Sequence, residues 1–266
     1  MKRLHRNTAQ GIVDALSNIF YKYGRATRVL EKINLANPKW GARDRNNVHL
    51  ATYEIIRWKN YYCFLSGTDS NLTDVPKLWK LLGTWLVVNS IELPNWEEFT
   101  DIDVKQIQAN QKEKVTSEIS KSIPNWLHER GKKELSEKWD DELEALNLQA
   151  KLILRVNRIV VSPKKLQQEL LDKYQIEAEF IKGYEDALLL QKRKNLRKNA
   201  LYLKGCFEIQ DANSQKIAPF VEVKPGMKVI DGCAGAGGKT LHLASLMRNR
   251  GEIIAFDIKK NKIKEL

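Results

Sequence analysis

The sequence is poor in the residues that hold metals or cross-links: three cysteines and four histidines in 266 residues. Cys63, Cys206 and Cys233 are far apart and odd in number, so they read neither as a disulfide framework nor as a C-x-x-C pair. With the histidines scattered too, no metal is expected. No window holds about 18 consecutive apolar residues, so no span of a membrane is expected. The opening Met1-Lys2-Arg3-Leu4-His5-Arg6 leads into no apolar stretch with a cleavage site. A signal peptide is therefore not expected, and a reducing cytoplasm is the expected compartment. Glycine (14) and proline (7) are too few for a fibrous or low-complexity chain. What is left is a globular composition, 42% hydrophobic and 29% charged, long enough for one large domain or two modest ones.

Charge is plentiful and uneven. The net +12 divides into +8 over residues 1–60, −4 over 61–120, zero over 121–180 and +8 over 181–266. Two basic regions around a neutral middle suit a polyanion touched at two places, and equally a generic solvated lysine surface. A monomer is expected.

Residues 4–65 read as helices. Ile12, Val13, Leu16, Ile19, Phe20 and Tyr23 recur at helical spacing, with Gly24 as the stop. Val48, Ala51, Ile55, Trp58, Tyr62 and Leu65 read as one face of a second helix, with Asp44 as its N-cap. Leu78, Leu81, Leu82, Trp85 and Leu86 make a third stripe. All seven tryptophans fall at or before Trp139, which gives the first half its own aromatic core; stacking platforms for bases are the competing reading. Residues 93–125 read as an acidic connector that includes a helix, and Pro124 opens a new helix. From about 150 the period changes: strand at 152–157, helix at 163–174, strand at 176–181, and further strands at 188–190 and 200–203. Within this α+β module, Lys192, Arg193, Lys194, Arg197 and Lys198 form a basic run. With Arg155 and Arg158, the run is either a solvated loop or a phosphate-contacting edge.

Residues 225–257 carry the chemistry. Lys228–Asp231 reads as a short strand, followed by the loop Gly232-Cys233-Ala234-Gly235-Ala236-Gly237-Gly238-Lys239-Thr240. A helix closed by Gly251 comes next, then a second strand ending at Asp257. Glycines let the backbone approach a ligand, and an acid after the second strand suits a ribose diol. A phosphate-binding G-x-x-x-x-G-K-[ST] loop fails because Cys233 stands at its first glycine. The dinucleotide pattern G-x-G-x-x-G fails because Thr240 stands at its third. D-x-C-x-G-x-G-G-K fits a site for S-adenosyl-L-methionine (SAM), lined by Cys233, Ala234, Gly235, Ala236, Gly237, Gly238, Lys239 and Asp257.

Asp231–Thr240 resembles the SAM motif of the RsmB/Sun-type RNA cytosine-5 methyltransferases. Gly41-Ala-Arg-Asp-Arg45, Pro124-Asn-Trp-Leu127, Leu154-Arg-Val-Asn157 and Phe207–Gln215 resemble their earlier segments in order. Gly235-Ala236 stands where that family commonly has Ala-Pro. The resemblance implies an α-then-α/β, multidomain chain. An all-helical NusB-like RNA-binding domain would span 1–122 and a helical connector 123–149. A small α+β RNA-binding module would span 150–222, and the start of a Rossmann-like class I methyltransferase domain 223–266. It implies RNA, most often ribosomal RNA, as substrate, with Arg43, Arg45 and the module's cations as contacts.

The resemblance also implies catalytic cysteines in Pro-Cys and Thr-Cys contexts downstream of Leu266. The chain is thus expected to be a portion inactive alone, and no catalytic residue is assigned within it. Cytosine C5 is too weak a nucleophile until a thiolate adds at C6. Cys233 would line the cofactor, and Cys63 and Cys206 read as buried small hydrophobes. The alternative function is a non-catalytic RNA-binding protein with a methyltransferase remnant; an NTPase is disfavoured by Cys233.

Overall fold

The computed structural model describes residues 4–72 and 74–266. They form two compact units, Met1–Leu148 and Gln149–Leu266. No helix among the described residues is long and apolar enough to cross a membrane.

The first unit is helical: α1 (Arg6–Phe20), α2 (Ala26–Ala36), α3 (Ala42–Arg57), α4 (Lys59–Ser66), α5 (Val75–Val88), α6 (Val104–Asn110), α7 (Ser117–Ser120), α8 (Asn125–Leu135) and α9 (Trp139–Asn147). The three stripes meet in one core, with α5 nearly all buried from Leu78 to Leu86. Its start is fixed by Asp74, whose carboxylate accepts the Lys77 amide at 3.0 Å, and by Pro76 in the first turn.

Local chemistry changes three of the expected boundaries. The first helix ends at Phe20, and it is Tyr23, not Gly24, that takes the left-handed φ of 50°. Gly24 serves by its size: a Cβ there would lie 2.7 Å from Val29 Cγ2 and 2.9 Å from the Asn18 carbonyl. The 48–65 stripe is two helices, because the chain leaves helical geometry at Trp58 (φ −102°, ψ 24°). Gly41, not Asp44, is the N-cap of α3. Asp44 stands three residues in and accepts the Gly41 amide at 3.2 Å, the returning half of a capping box.

Residues 93–125 do more than connect. Phe99 and Ile107 enter the same core, and the Asn110 amide donates to the Phe64 and Leu65 carbonyls. Asn60 donates to the Ile123 carbonyl near the end of this stretch, and the segment that follows stays with the unit through Arg57, which donates to the Asn147 carbonyl. Trp40, Trp79, Trp85 and Trp139 are buried as core residues, whereas Trp126 is 65% exposed.

In the second unit, β1 (Ile153–Val156), α10 (Pro163–Tyr174), β2 (Ala178–Ile181), β3 (Tyr184–Leu190), α11 (Ala200–Leu203) and β4 (Phe207–Ile209) make an antiparallel sheet of order β2-β3-β1-β4. That order is the ferredoxin-like split β-α-β arrangement. Residues 200–203 are therefore helix rather than strand, started by the Asn199 side chain accepting the Leu201 amide at 2.9 Å. A four-residue apolar run does not reveal its period. Central β1 is buried throughout, with Leu154 and Val156 packed with Leu166 and Leu170 of α10. Short helices α12 (Ala212–Gln215) and α13 (Ile217–Phe220) follow.

They lead to a parallel βαβ unit, β5 (Lys228–Asp231), α14 (Gly238–Leu246) and β6 (Glu252–Ala255), and last α15 (Lys260–Ile263). Val229 and Ile253 are half-buried, while Ile230 and Ile254 face outward and are exposed.

Gly83 is the most closely packed of the glycines in the helical unit, since a Cβ there would fall 1.8 Å from Ile102 Cδ1. Gly83→Ala should cost about 1–3 kcal/mol, the usual cost of overpacking, measured by urea unfolding against wild type. An unchanged midpoint would mean that residues near 102 yield freely.

Candidate functional site

The two parallel strands end side by side, and each ends near a carboxylate that holds the glycine loop. Asp231 accepts the Thr240 hydroxyl at 2.6 Å with one oxygen and the Cys233 amide at 3.3 Å with the other. Asp257 accepts the Gly235 amide at 2.9 Å and the Lys259 amide at 2.8 Å. The strand pairing runs on into the loop, with the Ala234 amide donating to the Phe256 carbonyl at 2.9 Å. The turn needs left-handed backbone at Gly235 (φ 57°) and Gly237 (φ 87°), which glycine supplies without strain. A Cβ on Gly232 or Gly235 would meet nothing within 4 Å, so the loop's outer side is open. The Lys259 and Gly235 amides hold the Asp257 carboxyl below its ordinary value, so it is ionised near neutrality. Cys233, Ala236 and Lys239 are exposed, Ala234 and Gly237 are buried, and Gly238 begins α14.

The residues expected on this loop thus lie on one turn between the two strand ends. Sequence reasoning missed the part played by Thr240. The signal was present as an acid at a strand end with a hydroxyl nine residues on, one turn into the helix.

The thiols divide as their surroundings dictate. Burial pushes Cys63 up to about 11 and also raises Cys206, so neither is a thiolate near neutrality. Cys233 is exposed. No group of three or more metal-binding side chains occurs among the described residues.

The expected RNA-contacting cations divide more sharply. Arg43 and Arg45 are exposed in the first turn of α3 and make no ion pair among the described residues. Lys192, Arg193, Lys194, Arg197 and Lys198 are likewise exposed and free of carboxylates, on a loop pinned by buried Leu196. Arg193 donates to the Ala150 carbonyl at 3.1 Å and Lys194 to that of Tyr174 at 3.2 Å. Arg155 is a correction: it lies inside the sheet, 1% exposed, donating to the Gln210 side chain at 2.7 Å opposite Glu208. It cannot reach a phosphate. Arg158 is a correction of a lesser kind, half-exposed but paired with both Asp186 and Glu185.

Two residues to which sequence reasoning gave no role, Gln215 at the end of the Phe207–Gln215 segment and His242 just past the glycine motif, are also buried in this unit. Both ring nitrogens of His242, on α14, and Oε1 of Gln215, on α12, lack a hydrogen-bond partner among the described residues. Burial, with the Arg155 cation adding to it, lowers His242 to about 4.

Residues 123–197 match the family model described as the RsmF/B-like methyltransferase ferredoxin-like domain, in agreement with the sheet order. Residues 218–266 match that of the 16S rRNA methyltransferase RsmB/F. In these two segments the chain is similar to the RsmB/F methyltransferases.

Among individual relatives, it is 30% identical over 142 residues to ribosomal RNA small subunit methyltransferase B of Pseudomonas syringae pv. tomato, covering 53% of this chain and 31% of the relative. It is 37% identical over 117 residues to the probable small subunit methyltransferase B of Bacillus subtilis, 43% of this chain and 25% of that one. It is 30% identical over 113 residues to the 25S rRNA (cytosine-C(5))-methyltransferase NSUN5 of Arabidopsis thaliana, 42% of this chain and 20% of that one. The chain thus spans about a third or less of these relatives. The crystal structure of PH0851 superposes over 99% of this chain and 66% of that one, with a TM-score of 0.71 and 19% identity, a likeness of fold.

His242 gives a pH dependence. Its folded value of about 4 lies below the ordinary 6.5, so between them the unfolded chain binds the extra proton. Stability from this group is full above 6.5 and is lost on acidification toward 4, by roughly 3 kcal/mol in all. Unfolding midpoints at pH 7.5, 6 and 5 should fall less for His242→Phe than for wild type. Parallel falls would show that His242 charges freely in the folded protein.

Proposed function

We propose that the chain forms the RNA-binding and cofactor-binding portion of a SAM-dependent enzyme that methylates C5 of a cytosine in ribosomal RNA. The single observation that carries this reading is the glycine turn clamped between Asp231 and Asp257. An open cradle of small residues faces an ionised carboxylate that keeps lone pairs free for two hydroxyls. Bound there, SAM supplies an electrophilic methyl group. Gly235, where a Cβ would meet nothing within 4 Å, would give its methionine part close approach to backbone, and Cys233, Ala234, Ala236, Gly237, Gly238 and Lys239 would form the turn around it. Asp257 accepts the ribose hydroxyls. The relatives named for rRNA methylation support the substrate class, and the relative named for cytosine C5 supports the atom.

The chain's own residues bind and orient; they do not supply the attacking thiolate. Cys63 and Cys206 are buried and protonated, and Cys233 lies on the cofactor turn. RNA is met at the two free basic patches, Arg43 with Arg45 and the 192–198 loop.

Calorimetric titration with SAM, wild type against Asp257→Ala, tests the cofactor. Losing a charged acceptor for a diol should weaken binding about tenfold to a hundredfold. Equal affinities would overturn the assignment, and tight ATP binding in its place would favour an NTPase.

The RNA reading is tested by the salt dependence of binding to structured rRNA. Replacing both Arg43 and Arg45 by alanine should make the slope of log affinity against log salt shallower by roughly one to two, about one per phosphate contact. Arg155→Met should leave the slope unchanged. An unaltered slope in the double variant would confine RNA contact to other cations.

A further inference from the structure

Between the tip of β3, the α12–α13 segment and the inner side of α14 lies a cavity of about 380 Å³, lined by Tyr184, Asp186, Gln215, Lys216 and His242 among others. It is near the small end of ligand pockets, roughly 300–1,000 Å³, and far above the ~30 Å³ share of one water. Two of its lining residues are more than nine-tenths buried and carry polar atoms without partners: both ring nitrogens of His242, and Oε1 of Gln215. Buried polar atoms are nearly always satisfied, so three in one cavity call for an occupant that supplies donors and acceptors together.

We propose that this cavity binds a single nucleobase, whose hydrogen-bonding edge is met by His242 and Gln215 and whose ring lies along Tyr184.

The charges around the cavity select a neutral group. An anion would face Asp186 and Glu185, whose two charges the single Arg158 cation only partly offsets, and a cation would face Lys216, with the buried Arg155 outside the lining also acting on His242. A neutral imidazole offers one N–H donor and one bare nitrogen, and Gln215 Oε1 adds an acceptor, while its Nε2 is engaged by the Leu154 and Gln210 carbonyls. Burial keeps that imidazole neutral. A nucleobase edge carries donors and acceptors side by side in the same way. Tyr184 supplies the aromatic surface on which unpaired bases stack. Its ring is held by the Lys216 ammonium 4.4 Å from its centroid, and its hydroxyl donates to Asn213 Oδ1 at 2.5 Å. His242 follows Thr240 by two residues on α14, so an occupant would brace the helix that carries the cofactor turn.

The base could come from an RNA strand, which rests on the reading above, or from a free nucleotide. The test separates the two and involves neither SAM nor Arg43 and Arg45. The full chain carrying ¹⁵N-histidine is titrated with each of the four nucleoside monophosphates, with single-stranded RNA tetranucleotides and with inorganic phosphate. The His242 ring signals should shift saturably with at least one nucleotide while those of His5, His49 and His128 stay still. By equilibrium dialysis, affinity should fall about tenfold or more in His242→Phe, and several-fold in Lys216→Ala, whose exposed side chain leaves the core intact. Tighter binding of a tetranucleotide than of its monophosphate assigns the base to a strand, and equal binding to a free nucleotide. No shift at millimolar nucleotide, or the same shift with inorganic phosphate alone, would overturn the proposal.

Discussion

The second unit is organised around two carboxylates at the ends of adjacent parallel strands. Parallel pairing of β5 with β6 brings Asp231 and Asp257 to the same edge of the sheet, and the chain between them must cross that edge. Asp231 ties the start of the crossing to Thr240 on the helix; Asp257 ties its middle through the Gly235 amide. Charge-assisted bonds of this kind are stronger than neutral ones. They fix the loop before any ligand arrives, so a ligand there need not order the backbone as it binds. The left-handed glycines follow from this constraint, since a turn so short has no other way back to the helix.

The same economy of charge explains the interior of the ferredoxin-like sheet. A cation in the central strand is costly unless it is paired. Arg155 meets Gln210 directly, and Glu208 lies opposite it in register. Its positive field reaches His242 and adds to the burial that keeps the imidazole uncharged. A protonated His242 would place a second cation in the same dry region. The neutral ring, the buried arginine and the orphaned Gln215 oxygen therefore belong to one electrostatic arrangement inside this unit.

Much of this was legible in the chain itself. Stripes such as Leu78 to Leu86 reported burial because helical periodicity is a direct record of which face meets the core. The glycine loop was legible because the turn imposes composition at every position. The failures are equally physical. Trp58 reads as a core residue in either one helix or two, so the break beside it left no trace in the periodicity. Residues 200–203 carry too short an apolar run to choose between strand and helix, and the deciding cap, Asn199, is a polar residue that a turn would use just as well. His242 occupies the buried side of a short helix two residues past the glycine motif, which does not include it; only the fold brings it within the field of Arg155.

The arginines show where sequence reading reaches its limit. Arg43, Arg45, Arg155 and Arg158 look alike as entries in a charge count, yet only the first two are free to meet a polyanion. The difference lies in partners far along the chain: Gln210 is 55 residues from Arg155, and Asp186 is 28 residues from Arg158. A cation that has met a buried acceptor or two carboxylates contributes to net charge without contributing to binding. Among the described residues, two groups of neighbouring exposed cations without carboxylate partners lie at the start of α3 in one unit and on the 192–198 loop in the other. In the second unit Leu196 anchors that loop, so its cations are held on a fixed surface. Arg193 and Lys194 are further held by the Ala150 and Tyr174 carbonyls, and a cation already held in place loses less side-chain freedom when an anion reaches it.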